Sequence, residues 1–177
     1  MNCLENKSGI TIIALIITVI VILIIAGISM STGLDTIKRA KFESKMTNMI
    51  TIKANAKIFA EEINAEVWDL GNAEKATKRA ELFQNKYYMN IIQNPTDILA
   101  KLDNSIKENG CEVYSLTKQT LNEMGLSDFA KETEDGQFVV AFNSKDFTKL
   151  EIVCPSGIYY EKTTYWTLSQ LQSKVNE

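Results

Sequence analysis

From Gly9 to Met30 the chain reads GITIIALIITVIVILIIAGISM, and no charged side chain occurs from Ser8 through Leu34. About 21 apolar residues rising 1.5 Å each give a helix of roughly 31 Å, the thickness of a bilayer's hydrocarbon core. The run is crowded with Ile, Val and Thr, which in water favour strands, but a lone strand in lipid leaves its backbone polar groups unpaired at several kcal/mol each. A membrane-spanning helix is therefore expected. Beyond Gly33 the pattern changes period without a break. Apolar residues recur in steps of three or four at Phe42, Met46, Met49, Ile52, Ala56, Phe59, Ile63 and Val67, with Lys45, Lys53, Lys57 and Glu61 on the polar side. Such spacing marks one amphipathic face. A continuous helix from about Thr11 to about Asn64 would measure roughly 80 Å, with Gly27 and Gly33 as its weak points. Its second half is expected to pack on the chain's own folded domain rather than in a coiled coil.

The remaining pattern predicts shorter elements. Asn72 opens a second helix as its N-cap, with Ala76, Ala80, Phe83 and Tyr87 on one face. Asn94-Pro95 starts a third, whose stripe of Ile98, Leu99, Leu102 and Ile106 runs to a stop at Gly110. Cys111 to Leu116 reads as a strand, and Thr117 to Met124 as a fourth helix ended by Gly125. Glu134-Asp135-Gly136 turns into alternating Phe138, Val140 and Phe142; Asn143 to Asp146 turns again, and Phe147 to Val153 returns. Pro155-Ser156-Gly157 is read as a further turn into a strand from Ile158 to Tyr165, and Leu168 to Val175 as a closing helix. The class is α+β, with a small antiparallel sheet and additional helices beside the long one.

Composition narrows the chemistry. The chain of 177 residues contains no histidine, which removes histidine acid/base catalysis, the usual catalytic triads and the commonest metal ligand. A net charge of −3 gives no sign of a dedicated nucleic-acid binder. There is no glycine-rich phosphate loop, metal-spaced cysteine set or nucleophile elbow. No enzymatic activity, cofactor or metal is expected.

The segment before the apolar run carries a resemblance. Lys7-Ser8-Gly9 followed by Ile10, Thr11, Ile12 and Ile13 resembles the class III leader of type IV pilins and of the pseudopilins of type II secretion and DNA-uptake machines. The resemblance implies cleavage after Gly9 by a prepilin peptidase and methylation of the new N-terminus at Ile10. The fifth position after the cut, where the family usually has Glu, is Ala14, as in a GITLIAL variant associated with Gram-positive pilin-like proteins. A carboxylate in a membrane helix costs up to about 3 kcal/mol unless a partner neutralises it, so Ala14 removes both the cost and the partner. Registration would then rest on other contacts, or the protein would be a minor or tip subunit.

On this reading residues 1–9 are a leader, 10–30 a transmembrane and assembly helix in which Thr11 and Ala14 contribute to assembly, 31–70 its amphipathic extension and 71–177 an extracytoplasmic globular head. The implied partners are a prepilin peptidase, other pilin subunits, a platform membrane protein, an assembly ATPase and membrane lipid; nucleic acid stays open. Removal of the leader takes Cys3 with it and leaves Cys111 and Cys154 in an oxidising compartment. They either form a disulfide closing a loop of about 43 residues, worth roughly 4 kcal/mol in the chain-entropy model, or remain buried thiols. By charge count, Lys38, Arg39, Lys41 and Lys45 outweigh Lys7 and favour a cytoplasmic head, whereas the leader requires the opposite orientation. A signal-anchored or secreted binding protein is the competing reading, since Gly27-Ile28-Ser29 and Ser29-Met30-Ser31 offer small-x-small triplets to signal peptidase.

Three further clusters are candidates. Glu62, Glu66 and Asp69 share a helical face that would suit a cation or simply be solvated. Glu132, Glu134 and Asp135 would ligate Ca²⁺ or form the turn before the hairpin. Tyr159, Tyr160, Tyr165 and Trp166 would make a binding surface or pack in the core.

Overall fold

The computed structural model describes residues 7–176, with side-chain surroundings for Leu15, 17–20, 35–71 and 74–176. The chain divides into two compact units, Met1–Lys41 and Phe42–Glu177. Helix α1 runs Lys7–Glu66, in keeping with the uninterrupted pattern of apolar spacing. Among the described residues no helix is long and apolar enough to cross a membrane. The run expected to do so, 10–30, has side chains that for the most part lie outside them. Of those described, Leu15, Ile17, Val19 and Ile20 are exposed, and the Thr18 hydroxyl donates to the Leu15 carbonyl at 2.8 Å, which satisfies it within the helix.

In the second unit, strands β1 (Asn90–Ile91), β2 (Cys111–Ser115), β3 (Val139–Asn143), β4 (Leu150–Tyr160) and β5 (Thr163–Thr167) form an antiparallel sheet in sequence order. Both faces are covered, which is why every residue of β3 is buried. On one face α1 lays down Phe42, Met49, Ile52, Ala56, Phe59 and Ile63 against Tyr114, Val140, Phe142 and Ile152. All eight apolar positions read from the spacing face inward, Met46 partly so. Helices α2 (Asn72–Tyr87), α5 (Lys118–Glu123), α6 (Ser127–Glu132) and α7 (Leu168–Val175) complete that layer, with Phe59 stacked on Tyr87 at 3.8 Å. On the other face Ile98, Leu102 and Ile106 cover Val113, Val139, Ala141 and Val153.

Several expectations are corrected. The third helix is two, α3 (Thr96–Leu99) and α4 (Asn104–Lys107), because Asp103 takes an extended backbone, φ −67° and ψ 153°, between them. The N-cap of α2 is Gly71, not Asn72. Pro155-Ser156-Gly157 does not end a strand: it is a bulge inside β4, where the register shifts between Val153 and Ile158. Gly157 sits there at φ +77°, and a Cβ on it would collide with Thr164 Cγ2. The hairpin instead reverses at Glu161 and Lys162, both left-handed at φ 46° and 67°.

The disulfide is corrected too, since Cys111 and Cys154 are both free. Cys111 lies opposite Asn143 on β3, while Val153, next to Cys154, lies opposite Val139. The two are thus a full two strands apart, about 10 Å, and at opposite ends of the ladder, against a Cα separation of at most about 7 Å for a bridge. They also face different cores, Cys154 under α1 and Cys111 beside α3 and α4.

Candidate functional site

An open groove of about 920 Å³ lies where the end of α1, the first turns of α2, β2 and the β3–β4 turn converge. Lys75, Ala76 and Arg79, one and four residues apart along α2, share the helical face that lines it. The Arg79 guanidinium pairs with the Glu112 carboxylate on β2 and lies over the Phe147 ring, 4.4 Å from its centroid. Both partners are nearly buried. The Tyr114 hydroxyl donates to the same carboxylate at 2.8 Å, and burial, followed by that neighbouring charge, pushes the Tyr114 hydroxyl well above the ordinary tyrosine range. This network satisfies the polar atoms that Arg79 and Glu112 bring to the groove lining.

The rim is different in kind. Trp68, in the turn after α1, is 76 % exposed, and tryptophan is among the side chains enriched where partners bind. Lys75 and Lys145 line the same groove. The turn carrying Lys145 is organised by buried Asn143, whose Nδ2 donates to the Glu108 and Ile106 carbonyls at 2.6 and 3.2 Å and whose Oδ1 accepts from the Lys145 and Asp146 amides, each at 3.0 Å. Lys145 Nζ donates to Asn109 Oδ1 at 3.1 Å. The arrangement suits a partner with an apolar patch and negative charge.

Comparison with protein-family models, with curated proteins and with solved structures finds no match for this chain.

The residues singled out from the sequence fall elsewhere. Gly9, Ile10, Thr11 and Ala14 lie on the backbone of α1, with side chains outside the described residues. Glu62 and Glu66 tie α1 to α2: the Tyr87 hydroxyl donates to Glu62, and Lys86 Nζ stands 3.7 Å from Glu62 and 2.6 Å from Glu66. Burial and the Glu62 contact push the Tyr87 hydroxyl up to about 12. Among the described residues no group of three or more His, Cys, Asp or Glu is placed to hold a metal ion. Glu132, Glu134 and Asp135 line a notch of about 540 Å³ with Gly136, Pro155 and Ser156. Lys38 pairs with Asp35 at 3.7 Å on an exposed turn, while Lys45 is half-buried. The C-terminal aromatics separate: Tyr160 and Tyr165 pack on Phe42, 4.3 and 5.7 Å between centroids, whereas Tyr159 is 72 % exposed.

Trp68 and the Arg79–Glu112 pair were not legible in the chain. One signal was present: Arg79 is one of only two arginines in a lysine-rich sequence, and a guanidinium suits a buried bidentate partner better than an ammonium does.

Proposed function

We propose that this chain is a structural subunit of a type IV pilus or pseudopilus, cut after Gly9 by a prepilin peptidase and polymerised through its N-terminal helix. The observation that carries the reading is the bipartite α1. Its first part bears the leader motif and the uncharged apolar run, and its second lays one face on an antiparallel sheet. Satisfaction of the Thr18 hydroxyl inside the helix fits a lipid surrounding. Lipid tails are as apolar as the run itself, so leaving the bilayer gains little from transfer. Packing between subunits and an assembly ATPase acting through a platform protein would supply the drive. The head would be extracytoplasmic and would reach the cell surface in a filament.

The exposed Trp68 groove favours a second reading, a signal-anchored or secreted binding protein that does not polymerise. One measurement separates them: the N-terminal residue and mass of the mature protein from native membranes. The subunit reading expects a chain that begins at N-methylated Ile10. A chain beginning at Met1, or near Met30, overturns it.

A further inference from the structure

The Trp68 groove and the acidic notch belong to opposite ends of the sheet. In the β2–β3 ladder Cys111 faces Asn143 at one end and Ser115 faces Val139 at the other. Ser144 and Lys145 place the groove at the first end. Gly136, whose amide donates to the Leu116 carbonyl at 2.8 Å, places the notch at the second. The surfaces are complementary in charge. One bears the exposed Trp68 indole together with Lys75 and Lys145 in its lining; the other is lined by Pro155 together with Glu132, Glu134 and Asp135. Among the described residues neither Lys75 nor any of those three carboxylates is held in an ion pair. Asp69 and Glu74, neighbours of the rim in sequence, do not line the groove.

We infer that the groove face of one copy meets the notch face of the next, with the exposed Trp68 entering the notch against Pro155 and Lys75 and Lys145 meeting Glu132, Glu134 and Asp135. Two grooves cannot pair with each other, because each would bring its lysines against the other's. The contact is therefore heterologous: every added copy leaves one groove and one notch open, so it builds a chain or a ring rather than a closed dimer. This rests on the subunit reading, for which it names a head-to-head-domain contact independent of the membrane helix. Aromatic centre and charged rim are the usual division of labour in such interfaces, the rim giving salt dependence and register.

The test uses the full chain in detergent, as a mixture of isotope-labelled and unlabelled copies, joined by a zero-length carboxyl-to-amine cross-linker and read by mass spectrometry. Lys75 or Lys145 of one copy joined to residues 132–135 of another is expected. The yield should fall as screening shortens from about 10 Å at 0.1 M salt to about 3 Å at 1 M. Reversal of the groove (K75E with K145E) or of the notch (E132K, E134K and D135K) should abolish the product. Mixing the two variants, or combining all five changes in one chain, should restore it. Trp68→Ala should weaken association at least about ten-fold. Loss without rescue in variants whose circular dichroism and melting match the parent overturns the contact, as does a product unaffected by either reversal. A mature N-terminus at Ile10 without the cross-link rejects the contact alone. The cross-link in a chain that begins at Met1 rejects leader processing and leaves the contact standing.

Discussion

Arg79 and Glu112 show what a buried charge demands of its neighbours. The pair is packed against Phe147 and Tyr114, so removing one member leaves the other charged and nearly buried. Glu112→Ala should cost about 3–5 kcal/mol in denaturant unfolding, whereas replacing both members together, R79M with E112L, should be close to neutral. Next to Glu112, burial first and that carboxylate second push the Cys111 thiol up to about 11 from its ordinary 9.0. Since its folded value is the higher one, the associated stability is complete below about pH 9 and is lost as pH rises through 11. Thermal midpoints should decline across that window, and Cys111→Ala should flatten the decline there. Tyr87, raised from 10.0 to about 12, adds its own loss between those values in both proteins, overlapping the upper part of the Cys111 window.

Within an element, position on a face decides tolerance. Ile52 and Ile58 lie six residues apart on α1, the first fully buried and the second 52 % exposed. Ile52→Asp places a carboxylate in the core and should cost more than about 4 kcal/mol, while Ile58→Asp should stay within about 1 kcal/mol; melting temperatures of the two variants check this. That face was legible because a 3.6-residue period survives any packing partner, and the alternation of Phe138, Val140 and Phe142 was legible for the same kind of reason. The break between α3 and α4 was not, because Ile98, Leu102 and Ile106 keep helical spacing across it and point to the same core. Nor was the β4–β5 reversal. Pro155 and Gly157 carry the usual signs of a turn and make a bulge, while Glu161 and Lys162 carry none and adopt the left-handed conformation.

For the whole molecule, the leader and the head make separate demands. If the subunit reading holds, Gly9→Val leaves the head's fold and melting unchanged and accumulates an uncut precursor heavier by the mass of the nine-residue leader, read by intact-protein mass spectrometry. The sequence by itself determined the class, the apolar run, the packed face of α1 and the absence of histidine chemistry, because each depends on local period or on composition alone. Tertiary structure alone decided three things. It separated Cys111 from Cys154 by two strands, buried Arg79 against Glu112 from 33 positions away, and left Trp68 uncovered in a groove that two lysines also line. All three depend on which distant segments the sheet register brings together, and no spacing along the chain encodes that register.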